Sequence, residues 1–258
     1  MFFRCLSLTL LATLVLGAEN ALRVCADPNN LPFSNQRQEG LENKLAELVA
    51  EQMGAKLEYT WWSERGSLVK NTLNAGRCDV LMGVPTSLDE VTATEPYYRS
   101  TYVFVSRRDR ALRITSLADP RLSDLKIGIH VVGEDLAPPA YALARRGVTR
   151  NVVGFSLFGA YGEENPPRKL VDAVEHGDVD VAIVWGPFAG FFAQGANSPL
   201  EITPVAPPLY FGVPFAYDIS MGVRKGNDAL RDELNGVLRH ASAAVGALLI
   251  EYNVPEVH

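Results

Sequence analysis

Two segments of the chain repeat one another. Residues 71–85 read NTLNAGRCDVLMGVP and residues 172–187 read DAVEHGDVDVAIVWGP, so Gly76, Asp79 and Val80 match Gly177, Asp180 and Val181 at an offset of 101. In each copy a short amphipathic helix stops at a glycine, which takes the left-handed cap conformation cheaply. The apolar run after Asp-Val has the character of a buried strand in a parallel sheet. Two such units in one chain predict two similar α/β lobes facing each other. Ligand sites on this architecture lie between the lobes, at the carboxyl ends of the strands.

The rest of the chain fits the same plan. Leu22–Ala26 reads as a strand and Asp27–Phe33 as a polar loop. Leu41, Leu45, Leu48, Val49 and Met53 recur at helical spacing, and Gly54 ends that helix. Leu57, Tyr59 and Trp61 alternate as a strand does, Leu68–Leu73 forms a second helical stripe, and Val80–Val84 is the third strand. This β-α-β-α-β order demands parallel strands with helical crossovers. After a strand over Thr101–Ser106 and a charged break at 107–110, the pattern restarts. Strands are expected over 125–130, 152–155 and 179–184, and helices over 134–146 and 167–176. The proline-rich stretch 199–214 reads as an extended return crossing, leading to a strand at 219–224 and a helix behind Asn227. The expected division is one discontinuous lobe of residues 19–108 and 214–258, with 109–213 inserted as the second lobe. Crossings near 106–110 and 206–214 would form the hinge.

The first 18 residues read as a signal peptide: Arg4, an apolar run from Cys5 to Gly17, and small residues at Gly17-Ala18. That run is too short for a transmembrane helix, so a soluble exported protein cleaved near Ala18 is expected. Net charge is −6, with no basic stripe, which argues against nucleic acid as a partner. Cleavage leaves Cys25 and Cys78 as an even pair in an oxidising compartment. Cys25 sits in the first strand and Cys78 at the start of its expected neighbour. A disulfide between them would close a loop of about 54 residues, worth about 4 kcal/mol in the chain-entropy model; two buried free thiols are the alternative.

Several ordered motifs resemble the family 3 periplasmic solute-binding proteins of type II fold. They are the repeat itself, PYYRSTYVFVSRRD (96–109), SLADPRLSDLKIGIHVVG (116–133) and DISMGVRKGNDALRDELNGVL (218–238). A narrower set looks like the J-type binding proteins, MxaJ and XoxJ: RVCADPNNLPFSN (23–35), GLENKLAELVAE (40–51), GVPTSLDEV (83–91) and PYYRSTYVFV (96–105). The resemblance implies a periplasmic, non-enzymatic protein that accompanies a PQQ-dependent methanol-type quinoprotein dehydrogenase. It further implies a role in maturation or activation of that enzyme through protein binding.

The candidate cleft residues are Asp27, Asn29, Asn30, Trp61, Trp62, Pro85 and Thr86 in the first lobe. In the second they are Gly133, Glu134, Asp135, Tyr161, Trp185 and Pro187. Trp and Tyr supply flat apolar contact with a polar edge, and Asn supplies donors and acceptors. Asp27-Pro28-Asn29-Asn30 is equally well read as a structural Asx turn. Amino-acid binders of this fold place an Arg in a T-x-x-R setting after the third strand, where it grips the ligand carboxylate. Here the stretch is Thr86-Ser87-Leu88-Asp89-Glu90. Glu134 and Asp135 also occupy the helix start where an anion would otherwise bind. The expectation is that ordinary α-amino acids are not ligands, leaving a cationic or neutral small molecule, or none. The histidines at 130, 176, 240 and 258 are scattered, and no phosphate loop is present. No catalytic residue, metal or cofactor is therefore expected. Glu134-Asp135 as the acid–base pair of a dehydratase-like enzyme is a remote alternative.

Overall fold

The computed structural model describes residues 20–63, 68–131, 137–157, 163–193 and 198–257. The expected signal peptide, Gly133, Glu134, Asp135 and Tyr161 lie outside the described residues. The main strands are β1 Ala21–Ala26, β2 Lys56–Trp61, β3 Val80–Pro85, β4 Tyr98–Arg107, β5 Ile127–Val131, β6 Val152–Ser156, β7 Val181–Trp185, β8 Leu200–Pro204 and β9 Ala216–Val223. The helices are α1 Leu41–Gln52, α2 Pro138–Arg145, α3 Arg168–His176, α4 Gly186–Phe192, α5 Asp228–His240 and α6 Ser242–Glu251.

The strands follow the order β2-β1-β3-β9-β4-β7-β5-β6, with β8 added against β4. β1 pairs in parallel with β2 and β3, and β5 pairs in parallel with β7 and β6. The architecture is thus a mixed, mostly parallel α/β arrangement flanked by helices, as expected for a type II binding-protein fold. β4 joins the two parallel groups. Tyr98–Thr101 pairs antiparallel with Ala216–Ile219 of β9, whereas Tyr102–Ser106 pairs with β7 and Val103–Arg107 with β8. The change of partners therefore falls at Thr101–Tyr102, inside one continuous strand. The charged break at 107–110 is only a short helical turn, Arg108–Arg110, at the end of that strand.

The repeated Asp has the same job in both copies. Asp79 N–H donates to Arg23 C=O at 2.7 Å, and its carboxylate accepts from the Arg23 N–H at 3.3 Å. Asp180 N–H donates to Lys126 C=O at 2.8 Å and its carboxylate accepts from Lys126 N–H at 2.8 Å. Each Asp thereby fixes the register of its strand against the first strand of its group. A guanidinium completes each lock, Arg23 at 2.6 Å from Asp79 and Arg110 at 2.8 Å from Asp180. Gly76 and Gly177 have φ of 72° and 81°, the left-handed caps that the sequence requires. Cys25 and Cys78 are joined by a disulfide with a Cα–Cα distance of 5.6 Å.

Other elements depart from the expectation. The stripe at 68–73 is one wide helical turn, Val69–Leu73, rather than a regular helix. The proline-rich return contains β8 and a hairpin with strands Leu209–Tyr210 and Val213–Pro214. α4 forms despite its glycines because it packs against the C-terminal segment. A Cβ at Gly190 would collide with the Asn253 carbonyl. That segment also runs beside β4, where Val257 N–H donates to Arg99 C=O at 3.1 Å.

Candidate functional site

A cavity of about 400 Å³ lies where the carboxyl ends of β1, β3 and β7 meet the crossing strands β4 and β9. Its size is within the range of small-molecule sites. Asp27, Asn30, Pro85 and Trp185, all named from sequence, line it. So do Phe33, Glu42, Tyr98, Tyr102, Phe188 and Tyr217, which strand-end reasoning did not find. These come from a loop, the first turn of α1, the two crossing strands and α4.

The loop after β1 is shaped by its own polar groups. Asp27 is 6 % exposed; its carboxylate accepts the Asn29 N–H at 2.7 Å and its carbonyl accepts the Ser34 hydroxyl at 2.8 Å. This is an Asx turn, and it aims the next residues across the cleft. Asn29 does not line the cavity. Its side-chain NH₂ donates to the Glu163 carbonyl, and its Oδ1 accepts the Asn165 N–H at 3.4 Å. Arg37 reaches Glu164 at 3.7 Å, and Phe33 meets Phe188 edge to face at 5.1 Å. The loop is thus fastened to the opposite wall by the protein's own residues. Asn30 Oδ1 is buried with no hydrogen-bond partner among the described residues.

The remaining sequence candidates are placed differently. Trp61 stacks on Tyr59 at 4.5 Å, and Arg77 sits over the Trp62 ring at 5.5 Å; neither Trp lines the cavity. Thr86 is tied back to β9, with its hydroxyl 2.7 Å from Ser220 Oγ and 3.1 Å from the Asp218 carbonyl. Pro187 is buried in the first turn of α4 and does not line the cavity.

The wall is aromatic and acidic. Trp185 contacts Tyr102 at 5.4 Å and Tyr217 at 5.9 Å. Burial pushes the phenols of Tyr98 and Tyr102 well above the usual tyrosine range, and the Glu42 charge adds to this at Tyr98. Both hydroxyls therefore stay protonated. Gly83 leaves room for the Glu42 carboxylate, which a Cβ at this position would push aside. Among the described lining residues, Asp27 and Glu42 are acids and none is Lys or Arg. Behind the wall, His130 is 8 % exposed, with Nε2 3.0 Å from the Pro167 carbonyl. Burial lowers its pKa to about 4, so it is neutral at physiological pH. Among the described residues, no three His, Cys, Asp or Glu side chains gather as metal ligands do. Such a wall suits stacking on a flat or apolar guest, with tyrosine hydroxyls as donors.

Comparison with known proteins adds the lineage. Residues 22–246 match the model of the bacterial extracellular solute-binding proteins, family 3. Protein MoxJ of Methylorubrum extorquens is 32 % identical over 243 residues, covering 91 % of this chain and 81 % of that protein. The periplasmic binding protein XoxJ of Methylobacterium extorquens AM1 has 35 % identity and a TM-score of 0.74, over 92 % of this chain and 100 % of that one. MxaJ of Methlophaga aminisulfidivorans MPT has 29 % identity and a TM-score of 0.78, with the same coverage.

Proposed function

The chain belongs to the family 3 bacterial extracellular solute-binding proteins, and from that premise we propose that it is an exported accessory factor of a PQQ-dependent, methanol-type quinoprotein dehydrogenase. It assists maturation or activation of that enzyme by binding it as a protein, in the periplasm, after cleavage near Ala18. It is organised as two lobes, residues 19–108 with 214–258 and residues 109–213, and it carries out no chemistry itself. Similarity to MoxJ, MxaJ and XoxJ supports the association with methanol oxidation.

The observation that carries the reading furthest is the stretch after β3. Thr86 is bonded back to β9 there, the stretch 86–90 carries no Arg, and no Arg or Lys is among the described residues that line the cavity. Asn29, Phe33 and Arg37 also bridge the cleft through contacts with Glu163, Phe188 and Glu164. Affinity capture from the native periplasm tests the proposal. Recovery of a quinoprotein dehydrogenase supports it, and its absence from the captured material counts against it.

A second reading is a transporter-type receptor for a small molecule that is not an α-amino acid. The unpartnered Asn30 Oδ1 beside a cavity of about 400 Å³ favours it. A metabolite that raises the melting temperature would support this reading, since binding to the native state stabilises it.

A further inference from the structure

The hairpin at 209–214 lies beside α2 and the segment 116–118, and none of its residues lines the cavity. Leu209 is 57 % exposed and Phe211 49 % exposed. Phe211 and Gly212 form the two-residue turn, with φ of 50° and 79°. Positive φ at both central positions marks the type I′ turn, which ordinarily takes Asn-Gly or Asp-Gly. A phenylalanine in the left-handed region is an outlier, and such strain persists where a site uses it. Asn would relieve the strain and remove the exposed ring, yet the chain carries Phe.

The hairpin is rigidly supported. The Tyr210 hydroxyl is hydrogen-bonded to the Ser116 hydroxyl, and Ala206 N–H donates to the Thr115 carbonyl at 2.8 Å. The Arg145 guanidinium lies over the Phe211 ring at 5.5 Å and is exposed. Arg146 beside it is used up by the carbonyls of Leu117, Ala118 and Asp119. Asp119, the nearby acid, is taken by Arg121 at 2.6 Å. Arg113, two residues before Thr115, is exposed, and neither it nor Arg145 has a carboxylate partner among the described residues. The aromatic tip thus carries one exposed guanidinium, Arg145, with no carboxylate partner among the described residues.

We propose that this hairpin is a protein-docking surface: Phe211 and Leu209 enter an apolar recess on the partner, and Arg145 pairs with carboxylates at its rim. Tyr, Trp, Phe and Arg are the residues enriched at interface cores, and a guanidinium fork fits a carboxylate bidentately. A rigid two-residue tip with one guanidinium stacked on it suits a shaped recess. An anionic bilayer would repel the rest of this acidic chain, and stable membrane anchoring needs a larger apolar face. The partner is the quinoprotein dehydrogenase, a commitment that rests on the functional reading above.

The test titrates purified dehydrogenase with the wild-type chain, Phe211→Asn, Arg145→Glu and Ile250→Asn. Ile250, on α6, is another exposed apolar residue, 76 % exposed. Phe211→Asn and Arg145→Glu should each weaken binding about tenfold or more, and Ile250→Asn should not. Phe211→Asn should melt at or above the wild-type temperature, which separates lost binding from lost folding. Raising salt should weaken the wild type more than Arg145→Glu. Equal binding by wild type and both hairpin variants overturns the docking assignment and leaves the functional reading standing. Failure of the wild type to bind dehydrogenase overturns both. Hairpin-dependent binding to vesicles of phosphatidylglycerol and phosphatidylcholine without dehydrogenase binding, or hairpin-dependent self-association in sedimentation, also overturns it.

Discussion

The two copies of the repeat share one lock and differ in everything fastened around it. In both, an Asp fixes its strand to the first strand of the group through reciprocal backbone bonds. Pairing of Cys25 with Leu81 and of Gly128 with Ala182 makes Cys25 and Gly128 equivalent, while Cys78 corresponds to Val179. The first copy therefore has a disulfide where the second has Gly128 packed against Val179, with a Cβ at Gly128 coming within 3.3 Å of a Val179 methyl. Their ends diverge as well. β3 runs out into Thr86, bonded back to β9, whereas β7 runs into α4 and supplies Trp185 and Phe188 to the cavity. The repeat marks scaffold, and most of the cavity wall comes from outside it: the loop after β1, the first turn of α1, and the crossing strands β4 and β9.

The largest break in the comparison is the staple. Cys25→Ala with Cys78→Ala should cost about 2–4 kcal/mol. Hydrogen exchange should show the loss in β1–β3 and leave β5 and β7 protected. Unchanged exchange in the first copy would mean that its packing needs no staple.

Acid should act mainly through the second parallel group, at His130 on β5. The folded His130 pKa, about 4, lies below the ordinary 6.5, so the unfolded chain takes up the proton first. Stability should fall as pH drops from about 6.5 to about 4, by on the order of 3 kcal/mol. Bonds from Lys126 and Arg110 outweigh burial and hold Asp180 low, but this contributes only as pH falls through the ordinary carboxylate range near about 4. His130→Gln should flatten the limb above pH 4 in thermal melts.

The shared locks should differ modestly. Asp79→Asn disturbs three bonds from Arg23 and should cost about 2 kcal/mol, and Asp180→Asn disturbs two and should cost about 1 kcal/mol, by denaturant titration. Smallest is Arg77→Ala, which removes the exposed contact with Trp62 for about 0.5 kcal/mol.

Much of the fold was legible because its signals are local. Leucine spacing gives α1, and left-handed glycines mark where helices stop. α6 was missed because Ser242–Glu251 is apolar on most sides and shows no stripe. α4 was missed because Gly186, Pro187 and Gly190 speak against a helix, and contacts with the C-terminal segment override that preference. The site was half legible. Strand-end reasoning reaches Asp27, Asn30, Pro85 and Trp185. It misses Tyr98, Tyr102 and Tyr217, whose place depends on β4 and β9 crossing between the two parallel groups. It also names Trp61 and Trp62, which do not line this cavity.

The most direct measurement is calorimetry on one preparation, with purified quinoprotein dehydrogenase in one cell and the common α-amino acids in turn in another. An accessory factor without a carboxylate clamp should give saturable heat with the dehydrogenase and none at micromolar concentration with any amino acid. Micromolar binding of an amino acid, with no heat from the dehydrogenase, would contradict that assignment.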